Sequence, residues 1–182
     1  MKNLIAIITV TLILTSCASL SKSECERSEW QSKGFDDAIS GRASTRFSAH
    51  TKACAKHGIT VDNTTYMTGY QIGLKRYCRA ETGISKGRDA EQYNDICPAE
   101  LESGFLSGYL EGLDIALRGL NNSYTQTQNN IFNARFQRQR LESADDIQRI
   151  DEYIIEQQNR LRTINNKQNE LQATIARWSR RV

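Results

Sequence analysis

Apolar and small residues recur along this chain at helical spacing, and they mark out four segments before the character of the sequence changes. Trp30, Gly34, Ala38 and Gly41 fall at i, i+4, i+8 and i+11, with Phe35 and Ile39 beside them, which predicts one face of a helix. A second helix is expected from Ser44 or Thr45 to Gly58, glycine being the residue that most often follows a helix end. Its inner face would hold Phe47, His50, Ala53, Cys54 and His57. Asp62 or Asn63 then caps a third helix carrying Tyr66, Gly69, Tyr70, Gly73, Leu74 and Tyr77. The stretch from Arg79 to Ile96 reads as a polar loop around Gly83 and Gly87, with few buried residues. Pro98 suits the first turn of a fourth helix, along which Leu101, Phe105, Gly108, Tyr109, Gly112, Leu113, Ala116 and Leu117 recur. The expected fold is all-α.

Two of these helices share a repeat, aromatic-x-x-Gly-Tyr-x-x-Gly-Leu, at Tyr66–Leu74 and Phe105–Leu113, and Gly34-Phe35 reads as a decayed third copy. Glycine inside a helix costs roughly 1 kcal/mol relative to alanine, so its repeated use implies backbones in close approach. Gly104, Gly108 and Gly112 also have the small-xxx-small spacing of membrane helices. Glu102, Glu111 and Asp114 in the same stretch favour packing inside a water-soluble core instead.

From Asn121 glycine disappears and Asn, Gln and Arg take over. Ile147, Ile150, Ile154, Leu161, Ile164, Leu171, Ile175, Trp178 and Val182 follow a 3–4 spacing, with Gln157 and Gln168 at two further seam positions. This is a coiled-coil pattern. Ile131, Phe132 and Phe136 form a weaker upstream face, and Ser143 with Asp145 and Asp146 reads as a helix start. Residues 145–180 could fold back on 99–141 as a hairpin, or the two could form a rod of about 120 Å at 1.5 Å per residue. No glycine or proline forces the turn, so both forms stay open, the hairpin slightly ahead. The expected divisions are residues 1–16, 17–120 and 121–182.

The first of these reads as an address. Lys2 precedes the uncharged run Leu4–Leu14, which is shorter than the roughly 20 residues a spanning helix needs. It ends in Leu14-Thr15-Ser16-Cys17, which resembles the bacterial lipoprotein box. That resemblance implies cleavage before Cys17 and acylation of Cys17, with a diacylglyceryl group and an amide-linked chain giving stable attachment. Ala18, rather than aspartate, follows the cysteine, which by the same resemblance implies the outer membrane, facing the periplasm. The 182 residues carry 24 Lys and Arg against 21 Asp and Glu, and loss of residues 1–16 would remove one of those cations. A balance so near zero gives no case for a nucleic-acid partner.

Four cysteines remain, Cys25, Cys54, Cys78 and Cys97, an even number that in an exported protein predicts two disulfides. Three pairings are possible. Antiparallel packing of consecutive helices favours Cys25–Cys54 and Cys78–Cys97.

Several of these residues form a recognisable series: Cys25 with Trp30, Gly34-Phe35, Gly41-Arg42, His50 with Cys54, Tyr66 with Gly69, Gly73-Leu74, Tyr77-Cys78, Cys97-Pro98, and Phe105 with Tyr109 and Gly112. Cys25 to Leu113 thereby resembles a family of bacterial lipoproteins catalogued as domain of unknown function 2799. The resemblance covers about half the chain and leaves the C-terminal heptads outside. The family has glycine three positions before the tyrosine that follows Gly87-Arg88, where this chain has Ala90 before Tyr93. No activity is attached to the family, so the resemblance implies export and fold rather than chemistry.

Candidate chemistry is sparse. His50, Cys54 and His57 at i, i+4 and i+7 could present nitrogen and thiolate ligands to Zn²⁺ or copper from one helix face. A disulfide at Cys54 excludes that use, and the cysteine count favours the disulfide. Asp36 and Asp37 with Glu81 or Asp89 could pair as acid and base, but surface acids are commoner. Gly83–Arg88 has the glycines and cations of a phosphate loop without its strand or full spacing. Arg177, Arg180 and Arg181 around Trp178 could touch an anionic surface, though a solvated helix end explains them as well. The sequence nominates no cofactor and no catalytic residue. The expected function is a non-enzymatic, lipid-anchored envelope protein that meets an envelope partner, or a second copy, through its coiled coil. Binding of a metal or small ligand on the His50/His57 face is the alternative.

Overall fold

The computed structural model describes residues 20–182; Cys17 and the segment read as a signal lie outside the described residues. The described residues form seven helices and no strand: α1 (Lys22–Arg27), α2 (Trp30–Ile39), α3 (Arg46–Ala55), α4 (Asn63–Tyr77), α5 (Ala80–Arg88), α6 (Ala99–Arg138) and α7 (Ala144–Trp178). None is long and apolar enough to cross a membrane. Local chemistry sets several starts. Ser21 and Glu24 form a reciprocal capping box on α1. The Asp62 carboxylate accepts from the backbone N–H of Thr64 and Thr65 at 2.9 and 3.1 Å, opening α4.

The glycines explain the packing of the head, the part formed by α1 to α5 and the first half of α6. A Cβ on Gly34 of α2 would lie 2.0 Å from the Tyr66 carbonyl oxygen of α4, and one on Gly69 would lie 1.8 Å from that of Gln31. Helices α5 and α6 meet in the same way. A Cβ on Gly83 would sit 2.3 Å from the Phe105 oxygen, and one on Gly108 would sit 2.1 Å from the Ala80 oxygen. Backbone approaches backbone, and only hydrogen fits between.

This overturns the polar loop expected over Arg79–Ile96. Its first half is α5, whose inner face is Gly83 and Gly87, both buried. The structural repeat is therefore a helix pair rather than a single helix. A shift of 49 residues carries Gln31, Gly34 and Phe35 onto Ala80, Gly83 and Ile84; one of 39 carries Tyr66, Gly69, Tyr70 and Gly73 onto Phe105, Gly108, Tyr109 and Gly112. The Tyr70 hydroxyl donates to the Arg42 carbonyl at 2.8 Å, and the Tyr109 hydroxyl donates to the matching Glu91 carbonyl at 2.7 Å. Gly34-Phe35 is accordingly the counterpart of Gly83-Ile84, not a third copy of the Tyr66 motif. Each pair also has its own disulfide, Cys25–Cys54 and Cys78–Cys97, with Cα atoms 5.6 and 5.7 Å apart. The bonds close loops of 29 and 19 residues, and each contributes about 3–4 kcal/mol by restricting the unfolded chain.

The repeat also explains a local strain. Gly41 ends the first turn after α2 with φ +73°, and its counterpart after α5 is Ala90, held at φ +53°. Left-handed backbone costs an L-residue about 1–2 kcal/mol, part of which glycine gives back in the unfolded chain. Ala90→Gly is expected to raise unfolding stability by about 0.5–1 kcal/mol, read as a higher urea midpoint at unchanged m-value.

Helices α6 and α7 form the hairpin. Gln168 donates to Asn121 at 2.6 Å, and Arg138 Nη2 donates to Asp151 at 2.8 Å. Seventeen residues separate these contacts on each helix, so the antiparallel register does not slip. Ile154, Gln157, Ile164, Leu171 and Trp178 are buried, and Ile131, Ala134 and Ile154 make a second small core with Ile150 and Leu161. Val182, expected in the seam, lies beyond the end of α7 and is 64% exposed. Helix α6 passes residue 120 without a break. The main core reaches only to Leu120 and Leu171 along the hairpin, so the 18 residues of α6 from there to Arg138 extend about 27 Å past the head. At the other end Trp178 packs on Tyr93 with ring centroids 4.9 Å apart, and Arg181 bonds Asp95 and Glu102 at 2.6 and 2.8 Å.

Candidate functional site

Asp37 is the one buried carboxylate among the described residues, 1% exposed on α2 between Gly34 and Gly41. It accepts three hydrogen bonds: from His50 Nε2 on α3 at 2.7 Å, from the Tyr66 hydroxyl on α4 at 2.9 Å, and from Arg42 Nη1 at 3.1 Å. Burial alone would raise its pKa, but the bonds from His50, Tyr66 and Arg42 together outweigh it and hold the carboxyl below the usual range. An ionised carboxylate only accepts, so His50 must carry its proton on Nε2. Burial, then the hydrogen bond to Asp37, raises the Tyr66 pKa far above the usual tyrosine value. The cluster ties three helices together with every charge answered, which is what a structural lock needs. In the second helix pair the Asp37 and Arg42 positions are occupied by Lys86 and Glu91, which form an ion pair of reversed sense at 2.6 Å.

The metal face read from His50, Cys54 and His57 does not assemble. Cys54 is bonded to Cys25, and His50 is committed to Asp37. His57 lies past the end of α3, exposed, where its Nε2 donates to the Leu20 carbonyl at 3.2 Å. Among the described residues no group of three or more His, Cys, Asp and Glu is placed to hold a metal ion. Asp36, Glu81 and Asp89 are exposed and Asp37 is saturated, so the acid–base pairing does not form either. Gly83–Arg88 is helix, not a phosphate loop.

Two concave sites went unread in the sequence. The larger, about 780 Å³, opens between α5, α6 and α7. Tyr93, Tyr109 and Trp178 line it, and Arg88, Lys167, Glu170 and Arg177 supply its charges. The second, about 590 Å³, lies beside α3, where Lys33, Arg42, Arg46, Lys52 and Lys56 surround His50 and Leu20. Its one acid is Glu24, whose carboxylate already accepts from the Ser21 N–H and hydroxyl at 2.7 Å. The i, i+4 pair of Lys52 and Lys56 at the end of α3 was the available sequence signal; Arg42 lies ahead of that helix. A third feature lies on the far part of the hairpin. Phe132, Phe136, Tyr153 and Ile155 are 70, 50, 39 and 56% exposed.

Residues 29–114 match the family described as "Protein of unknown function (DUF2799)". The match runs from the start of α2 into α6, so it takes in both glycine-seamed helix pairs and leaves out the far hairpin. No curated protein and no solved structure matches the chain.

Proposed function

We propose that this is a non-enzymatic envelope protein, anchored in the outer membrane through acylated Cys17, which presents the α6–α7 hairpin to another envelope protein. The observation that carries the reading is the placement of exposed apolar side chains. Of the seven large hydrophobic residues left exposed among the described residues, four are Phe132, Phe136, Tyr153 and Ile155 on the projecting hairpin. Single exposed hydrophobics are ordinary; Phe132 and Phe136, i and i+4 on one face of α6, are neighbours and mark an interaction surface. Tyr153 and Ile155, two apart on α7, point to different faces of that helix. The heptad seam itself is covered by α6 within the same chain. A partner would therefore meet the outer faces of the hairpin and not the seam. The lipoprotein box, the even cysteine count and the family resemblance support the anchored, exported setting.

A photo-crosslinking residue at Phe132 in intact cells tests this. The expected result is one discrete adduct with an envelope protein, weakened by Phe136→Ser. Absence of any adduct from Phe132 and from Ile155, with the protein present at normal level, would overturn the reading; an adduct at twice the chain's mass would replace the partner with a second copy.

A further inference from the structure

We propose that the basic cleft beside α3 is a contact site for anionic phospholipid headgroups, seating the head on the membrane as a second attachment beside the acyl anchor. The proposal rests on acylation of Cys17. Leu20 lines the cleft, three residues after Cys17. Three residues span at most about 11 Å fully extended. A cleft on so short a tether cannot leave the headgroup region by much more than a Debye length, about 8 Å at physiological salt.

The charge fits that position. Lys33, Arg42, Arg46, Lys52 and Lys56 face one concavity, and of these only Arg42 pairs with a carboxylate within 4.0 Å among the described residues. Glu24, the acid in the lining, is tied to Ser21 at the start of α1. Unanswered cations gathered in a concave site focus a positive field onto whatever lies opposite. In this chain the covalent tether keeps a lipid surface within reach of that field, and phosphate is the group that cations there would meet. The apolar Leu20, Ala49 and Ala53 in the same lining suit the boundary between headgroup and acyl region.

The test uses the full chain with its anchor, isolated from membranes and reconstituted in vesicles of phosphatidylcholine alone or with phosphatidylglycerol. Amine-reactive labelling is read lysine by lysine. Lys33, Lys52 and Lys56 are expected to react about fivefold more slowly when phosphatidylglycerol is present, while Lys75 and Lys167 do not change. The protection is expected to vanish at all three lysines at 1 M salt, and at Lys33, the reporter that remains, in a chain carrying Arg46→Glu, Lys52→Glu and Lys56→Glu, three exposed positions whose change should leave the helical signal intact. Equal labelling in both vesicles overturns the proposal, as does equal protection by inorganic phosphate with phosphatidylcholine vesicles, which would make the site one for a free anion. Flotation with phosphatidylcholine vesicles reads the anchor separately. A chain that floats but shows no headgroup-dependent protection overturns the cleft alone, and one that does not float overturns the anchoring and the cleft's placement together.

Discussion

Alanine at Gly69 is expected to lower unfolding stability by about 3 kcal/mol or more, the upper end of what overpacking costs. The new methyl carbon would start 1.8 Å from the Gln31 carbonyl oxygen and 2.6 Å from its carbon. Both belong to backbone, so no side chain can swing aside. Helices α2 and α4 would have to move apart by more than an ångström, loosening every contact along their seam. Helix propensity works the other way, since alanine improves on glycine by about 1 kcal/mol in a helix interior. Gly119 isolates that opposing effect. It too is a helix-interior glycine, in α6, but a Cβ there meets nothing within 4 Å, so Gly119→Ala should stabilise by about 1 kcal/mol. Urea unfolding of both variants with disulfides intact would decide the matter; a Gly69→Ala protein as stable as the wild type would mean that the helices are not in backbone contact.

Removal of the Asp37 carboxylate should cost about as much, roughly 3–5 kcal/mol for Asp37→Ala, because it strands buried donors. His50 and Tyr66 are 5% and 0% exposed and would have no alternative acceptor in place. The pH dependence gives the cluster a signature that a cavity would not have. The folded carboxyl titrates below the ordinary aspartate value near 3.8, which the unfolded chain keeps. Its contribution is therefore complete above that value and is lost as pH falls through the lower, folded value. The stability gap between wild type and Asp37→Asn should narrow as pH falls below about 4. Other depressed carboxyls, among them Asp62 and Asp151, titrate in both proteins and cancel in the difference. A gap that does not change with pH would show that the carboxyl's charge is not what holds the three helices.

What the sequence made visible follows from which forces leave a periodic trace. The apolar and aromatic stripes of α4 and α6 were legible because large side chains recur on one face, and Tyr66, Tyr70, Phe105 and Tyr109 are all buried. Helix α5 was not, because its inner face is glycine: Gly83 and Gly87 bury backbone and supply no hydrophobic signal. The heptads of α7 fixed its inner face, yet could not say what would cover it. Fold-back depends on a turn at residues 139–143 that no glycine or proline announces, and on contacts such as Arg138 with Asp151 that only the register reveals. The Asp37 cluster joins residues 13 and 29 apart in sequence. Asp37 was visible as an acid beside the small residues of α2, and His50 and Tyr66 as members of helix faces, but nothing in the sequence joined the three. The basic cleft was not read: Lys52 and Lys56 stand one turn apart at the end of α3, but their convergence with Lys33, Arg42 and Arg46 depends on how α3 sits.

Helix α7 begins at the far end of the hairpin and runs back until Trp178 reaches Tyr93. Any polypeptide joined after Val182 would thus emerge at the root of the projection, alongside the second disulfide-linked helix pair. A reporter fused there would leave Phe132 and Ile155 free to dock, whereas the same reporter spliced into residues 139–143 would crown the projection and shield them. The direction of the last helix therefore decides where a label can be attached without masking the surface it is meant to watch.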